Sequence, residues 1–169
     1  MCRKSAWPVP VFVLLALTAS LQALSAQSYD DLAGGWIVQS RTAADGTVNE
    51  NPQRGLYLFT ATGQYSMMFV NTAEPRPDLT EDATDAQLLE AWESITANSG
   101  RYRLSGNQLT YEAWVAKWPT YMNAWDTSTG GNAITVTMSM EDGRLTLAWE
   151  DGRKVVLRRA PGLAGGGGG

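Results

Sequence analysis

The sequence predicts an all-β domain, an antiparallel β-barrel of about eight strands with one mid-chain α-helix. Short runs rich in β-branched and aromatic residues recur along most of the chain, and turns containing Gly or Asp separate them. A single stretch, residues 84–97, switches to helical spacing. Closing so many short strands into a barrel also removes the unpaired edges an open sheet would leave. A two-sheet sandwich is compatible with the same pattern.

Residues 1–26 read as a cleavable secretory signal peptide. Arg3 and Lys4 give a positive start, Val11 to Ala19 form an apolar core, and Leu24, Ser25 and Ala26 suit cleavage before Gln27. That apolar run falls short of the roughly 20 residues a membrane-spanning helix needs. The expected domain then occupies residues 27–160, and residues 161–169 form a flexible Gly-rich tail.

The first strand is expected over Trp36 to Ser40, with a turn at Asp45 and Gly46. Gly55 to Thr60 puts Leu56 and Leu58 on one face and Tyr57 and Phe59 on the other. After a turn at Thr62 and Gly63, the run Gln64 to Val70 groups Tyr65, Met67 and Phe69, and the two runs should form a hairpin. Pro75 and Pro77 break the pattern. Thr84 and Gln87 then fit a capping box, followed by Leu88, Leu89, Trp92 and Ile95 at helical spacing as far as about Ala97. That apolar stripe predicts a helix packed onto the body of the domain, stopping at Asn98 or Gly100. Strands resume at Arg101 to Leu104 and Gln108 to Val115. In the later run Ala133 to Met140, Ile134, Val136, Met138 and Met140 face one way. Asp142-Gly143 and Asp151-Gly152 close two further hairpins around Leu145 to Trp149 and Val155 to Leu157.

Composition narrows the chemistry. The chain has no histidine, which removes Ser-His-Asp and Cys-His catalysis and most zinc, copper and haem ligation. Its one cysteine, Cys2, precedes the apolar leader core, so the mature part has no disulfide. A net charge of −4 is the wrong balance for general nucleic-acid binding.

Leu32-x-Gly34-x-Trp36 at the first strand resembles the Gly-x-Trp signature of lipocalins and the wider lipocalin-like (calycin) group. The order of elements over residues 31–160 is similar to a bacterial lipocalin-like domain family. This resemblance implies that Trp36 closes the barrel base beneath an arginine of the last strand, Arg158 or Arg159. The mid-chain helix and the lack of a Thr-Asp-Tyr motif depart from classical lipocalins, so no particular ligand carries over.

The candidate ligand-binding residues are Tyr57, Phe59, Tyr65, Met67 and Phe69 on the strands, with Trp114, Trp118, Tyr121 and Trp125 at a lip or wall. Aromatic side chains offer large, rigid and partly polar contact area. The same residues could instead simply fill a small barrel. Glu112 is expected on the solvent side, and Arg101 and Arg103 could clamp a carboxylate only if they point inward. The acids from Glu74 to Asp85 lack the spacing of a calcium loop and read as a solvated segment. No catalytic residue, metal or cofactor is expected. The expectation is an exported protein, periplasmic or secreted and monomeric or weakly associating. It would bind a small hydrophobic or amphipathic molecule and have no nucleic-acid partner and no membrane span after cleavage. An isomerase or cyclase of the calycin kind, and an interaction or inhibitor module with a filled barrel, are the alternatives.

Overall fold

The computed structural model describes residues 28–76, 78–122 and 132–162. The expected signal peptide, Trp125 and the glycine run from Gly165 lie outside the described residues.

The strands are β1 (Gly34–Thr42), β2 (Val48–Asn49), β3 (Gly55–Phe59), β4 (Gln64–Val70), β5 (Ile95–Ser105), β6 (Gln108–Ala116), β7 (Ile134–Glu141), β8 (Arg144–Ala148) and β9 (Lys154–Arg159). Among the described residues two α-helices, α1 (Tyr29–Leu32) and α2 (Asp85–Glu93), and a single 3-10 turn (Pro119–Tyr121) accompany them. Each barrel strand pairs antiparallel with its neighbour in the order β1-β3-β4-β5-β6-β7-β8-β9, and β9 returns to pair with β1. The result is a closed eight-stranded barrel with β2 as a short flap on the end of β1. Closure, rather than a two-sheet sandwich, leaves the barrel strands no open edge.

The alternation read from the sequence sets the interior. Tyr57, Phe59, Tyr65, Met67, Tyr102, Leu109, Tyr111, Val136, Met138, Leu145, Leu147, Val155 and Leu157 are all buried in one cluster, with Ile134 and Met140 packed against it. Full burial of each aliphatic side chain stabilises by about 1.5–3 kcal/mol, so this inner wall is the main source of stability in a chain with no disulfide. At the β7–β8 hairpin, Asp142 (φ 49°) and Gly143 (φ 72°) both take the positive φ that a type I′ turn requires.

The base is sealed from the N-terminal side. Ser28 caps α1 through a reciprocal capping box with Asp31, and this short helix delivers Leu32, fully buried, beneath β1. Trp36 is also fully buried, and its Nε1 donates to Leu32 O at 2.8 Å. Gly34 adopts φ 119°, a conformation in which a side chain would be strained, and a Cβ there would also push against the Arg159 Nη1 atom 2.8 Å away.

The helix departs from expectation in two ways. It starts at the foreseen capping box, Thr84 with Gln87, but ends at Glu93 rather than near Ala97. From Ile95 onward the chain is a strand, with Ile95 opposite Val70 and Thr96 opposite Phe69. Pairing along the whole of β4 outweighs the continued helical spacing of the sequence. The apolar stripe of α2 does not pack onto the barrel either: Leu88, Leu89 and Trp92 are 50%, 56% and 55% exposed, and only Ala91 is buried. The helix is tied at its C-terminal end instead. Arg76 bonds Ala91 O and Ser94 Oγ at the C-terminal turn, where a cation also complements the helix dipole.

Candidate functional site

At the base, the Arg159 guanidinium lies 4.0 Å over the Trp36 ring and donates to the Asp31 and Ala33 carbonyls. This is a structural plug, with a cation–π contact and a hydrogen bond from each Nη atom. Of the two arginines considered from the sequence, Arg159 takes the position. An up-and-down eight-stranded barrel with this Gly-x-Trp base has a defined architectural type. The barrel is lipocalin-like.

No protein-family model and no curated protein matches the chain. Among solved structures it is similar to a lipocalin-like protein from Bacteroides uniformis ATCC 8492, at 21% identity and TM-score 0.47 over 77% of this chain and 99% of that one. It is also similar to an uncharacterised protein from Bacteroides eggerthii DSM 20697, at 15% identity and TM-score 0.46 over 76% and 99% of the two chains. A variant of the fluorescent protein UnaG is similar at 14% identity and TM-score 0.34 over 79% and 99%. The lipocalin-like character of the barrel rests on its own strand pairing and base.

The sequence-derived candidates divide by location. Tyr57, Phe59, Tyr65, Met67 and Phe69 share the inner wall, because the β3–β4 register sets Tyr57 opposite Met67 and Phe59 opposite Tyr65. Trp114 does not join them. It is the extra residue of a β-bulge in β6, where Ser99 faces Val115 but Gly100 faces Ala113. Trp114 lines a shallow outer depression with Tyr29, Gln64 and Arg101. The bulge exists where Gly100 allows the strands to approach: a Cβ at Gly100 would stand 2.0 Å from Glu112 O. Trp118 and Tyr121 are exposed just past the end of β6, and Tyr121 borders an open depression with Asn132 and Ile134.

Aromatic contacts run from base to mouth. Tyr102 meets Tyr29 at 5.1 Å and Phe59 edge-on at 5.2 Å. Phe59 stacks with Tyr111, and Tyr111 meets Tyr65 at 4.9 Å between centroids. Near the mouth, Tyr57 stacks on Phe69 at 5.9 Å. Burial pushes the Tyr57 phenol up to about 12, against the opposing pull of the Arg41 charge, and raises Tyr65 and Tyr111 too. All three phenols are therefore neutral hydrogen-bonding groups at physiological pH.

Three polar residues inside this barrel went unrecognised in the sequence. Arg41 reaches the interior through a bulge at Gln39: Val38 faces Leu157, whereas Ser40 faces Val156 and Arg41 faces the buried Val155. Simple alternation from Trp36 would have turned Ser40 inward and Arg41 outward. Its guanidinium lies 4.1 Å over the Phe69 ring, and Nη1 donates to Val70 O at 3.3 Å. Arg41 Nη2, Asn98 Oδ1 and Tyr111 OH are buried without a hydrogen-bond partner among the described residues. Asn98 had read as a helix stop, yet it lies in β5 opposite Met67. No sequence signal distinguishes these positions, because each depends on a register or a bulge.

Glu112 is on the outer wall, since its neighbours Tyr111 and Ala113 are buried inward and it faces Arg101 across the strands. It is nevertheless only 3% exposed, because Arg101 and Arg103 close over its carboxylate in two ion pairs. The expectation of a solvated Glu112 is corrected by that clamp. Both arginines point outward and are committed to it, so neither reaches the barrel interior.

Proposed function

We propose that this is an exported lipocalin-like protein that holds a small hydrophobic or amphipathic molecule in the mouth half of its barrel. Tyr57, Tyr65, Met67 and Phe69 would form the wall, and Arg41, Asn98 and Tyr111 would fix the orientation of the ligand. One observation carries the reading: three buried polar atoms without partners share an otherwise aromatic interior. Buried polar groups are nearly always bonded, and leaving one unsatisfied costs about 1–3 kcal/mol. A ligand with matching polar atoms would recover that cost. Trp118 and Tyr121 at the rim would then contact a ligand entering or leaving, rather than one fully seated.

The remaining features weigh against an enzyme. Glu112 lies outside the barrel and is neutralised by two arginines, so the interior has no carboxylate from the described strands poised for proton transfer.

Native mass spectrometry of the protein purified from its own host tests the reading. The expected result is a chain beginning at Gln27 with a small molecule bound in one-to-one ratio. A mature chain without adduct, together with no tryptophan-fluorescence response to alkyl and aromatic amphipaths, would overturn it. That result would favour the second reading, an interaction module, whose support is the exposed apolar row Leu88, Leu89 and Trp92 on α2.

A further inference from the structure

Resting on that reading, we infer that the interior site selects an anionic head group, a carboxylate in the first instance, and that Arg41 is the residue that binds it. The inference begins with the bulge. A single extra residue, Gln39, reverses the alternation of β1 and turns a cation into the barrel, where Arg41 faces Val155 instead of solvent. Bulges commonly re-aim one side chain in this way. A charged side chain placed among apolar neighbours is costly unless something compensates it.

The compensation Arg41 finds within the chain is incomplete. Phe69 offers its ring face and Val70 one carbonyl, both of which a guanidinium accepts without neutralising its charge. No acidic side chain is ion-paired with it among the described residues, and Nη2 has no acceptor. Other arginines of the barrel wall differ: Arg101 and Arg103 share Glu112, and Arg153 pairs with Asp151, while Arg159 donates from both Nη atoms to backbone carbonyls. A planar fork with a free edge in an aromatic enclosure is suited to a carboxylate, which accepts in the plane of the guanidinium while its apolar tail follows Phe69, Tyr57 and Met67. An ammonium head would meet like charge, and an uncharged hydroxyl would gain one neutral hydrogen bond.

The test compares dodecanoate, dodecanol and dodecylamine on the purified protein by isothermal titration calorimetry, with the Arg41→Met and Arg41→Lys variants alongside. Dodecanoate is expected to bind about tenfold tighter than dodecanol, and dodecylamine weakest, a step corresponding to one charge-assisted hydrogen bond. Arg41→Met should abolish the preference for the acid while dodecanol affinity holds or improves, and Arg41→Lys should retain part of it. The wild-type ranking decides the question even where a variant fails to fold. Equal affinity for acid and alcohol, or a preference that survives Arg41→Met, overturns the assignment of Arg41 but leaves the binding reading standing. No binding of any of the three by a chain that also lacks a native adduct overturns both.

Discussion

At the base of the barrel, Trp36 Nε1, the Tyr102 hydroxyl and the Arg159 guanidinium all donate to backbone carbonyls, and Leu32 and Trp36 are fully buried. Toward the mouth, Arg41 and Asn98 each keep a buried polar atom without a partner among the described residues, as does Tyr111 deeper in the wall. The two halves use the same residue types, an arginine against an aromatic ring among tyrosines. Their difference lies in satisfaction: one arginine closes a plug and the other leaves an edge free. Stability is therefore concentrated at the base, and capacity for binding at the mouth.

The largest expected effect tests the base. Trp36→Ala removes a fully buried ring together with its hydrogen bond and the stacked Arg159, and should cost about 3–5 kcal/mol by denaturant unfolding. Phe69→Ala at the mouth should cost markedly less, because its ring is only partly buried. Comparable losses at both positions would erase the contrast.

An alkaline titration sharpens it. Burial raises Tyr57, Tyr65 and Tyr111 above the phenol value of about 10 that they have when unfolded. Groups raised on folding contribute fully below the unfolded value, and that contribution is lost as pH rises through the folded one. Thermal stability should therefore hold up to about pH 10 and fall above it. Tyr57 alone accounts for about 2–3 kcal/mol by pH 12, its shifted value being about 12. Phenolate absorbance from these three rings appearing at about pH 10 in the folded protein would mean that their surroundings are wet.

The smallest effect concerns α2. Trp92→Ser changes a side chain that is 55% exposed, whose partner is the Lys117 ammonium 5.6 Å over its ring, so stability should move by no more than about 0.5 kcal/mol. A larger loss would show that the helix contributes to the barrel after all. A changed sedimentation behaviour with unchanged stability would mark this face as a contact surface.

Much of this was legible residue by residue. Tyr65, Met67 and Phe69 share a face because strand alternation is rigid, and Ile134, Val136, Met138 and Met140 follow the same rule on β7. The Thr84–Gln87 box marked the start of α2 because capping is satisfied within one turn of chain. The end of α2 was not legible, because helical spacing through Ile95 competes with pairing to Val70, a partner distant in sequence. The binding face of the interior was legible in its aromatics but not in its polar groups.

Local chemistry thus determined the strand segments, their inward residues and the hairpin turns, whereas the roles of Trp36 and a last-strand arginine at the base were implied by the Gly-x-Trp resemblance. The former depend on neighbours within a few positions, where propensity and alternation act. Tertiary structure alone decided that Arg41 enters the barrel, that Trp114 leaves it, that Glu112 is clamped on the outside and that α2 keeps its apolar row exposed. Each of those depends on a one-residue shift of register or on which surface a distant strand covers. A bulge inverts every side chain beyond it while leaving the local pattern of the sequence unchanged.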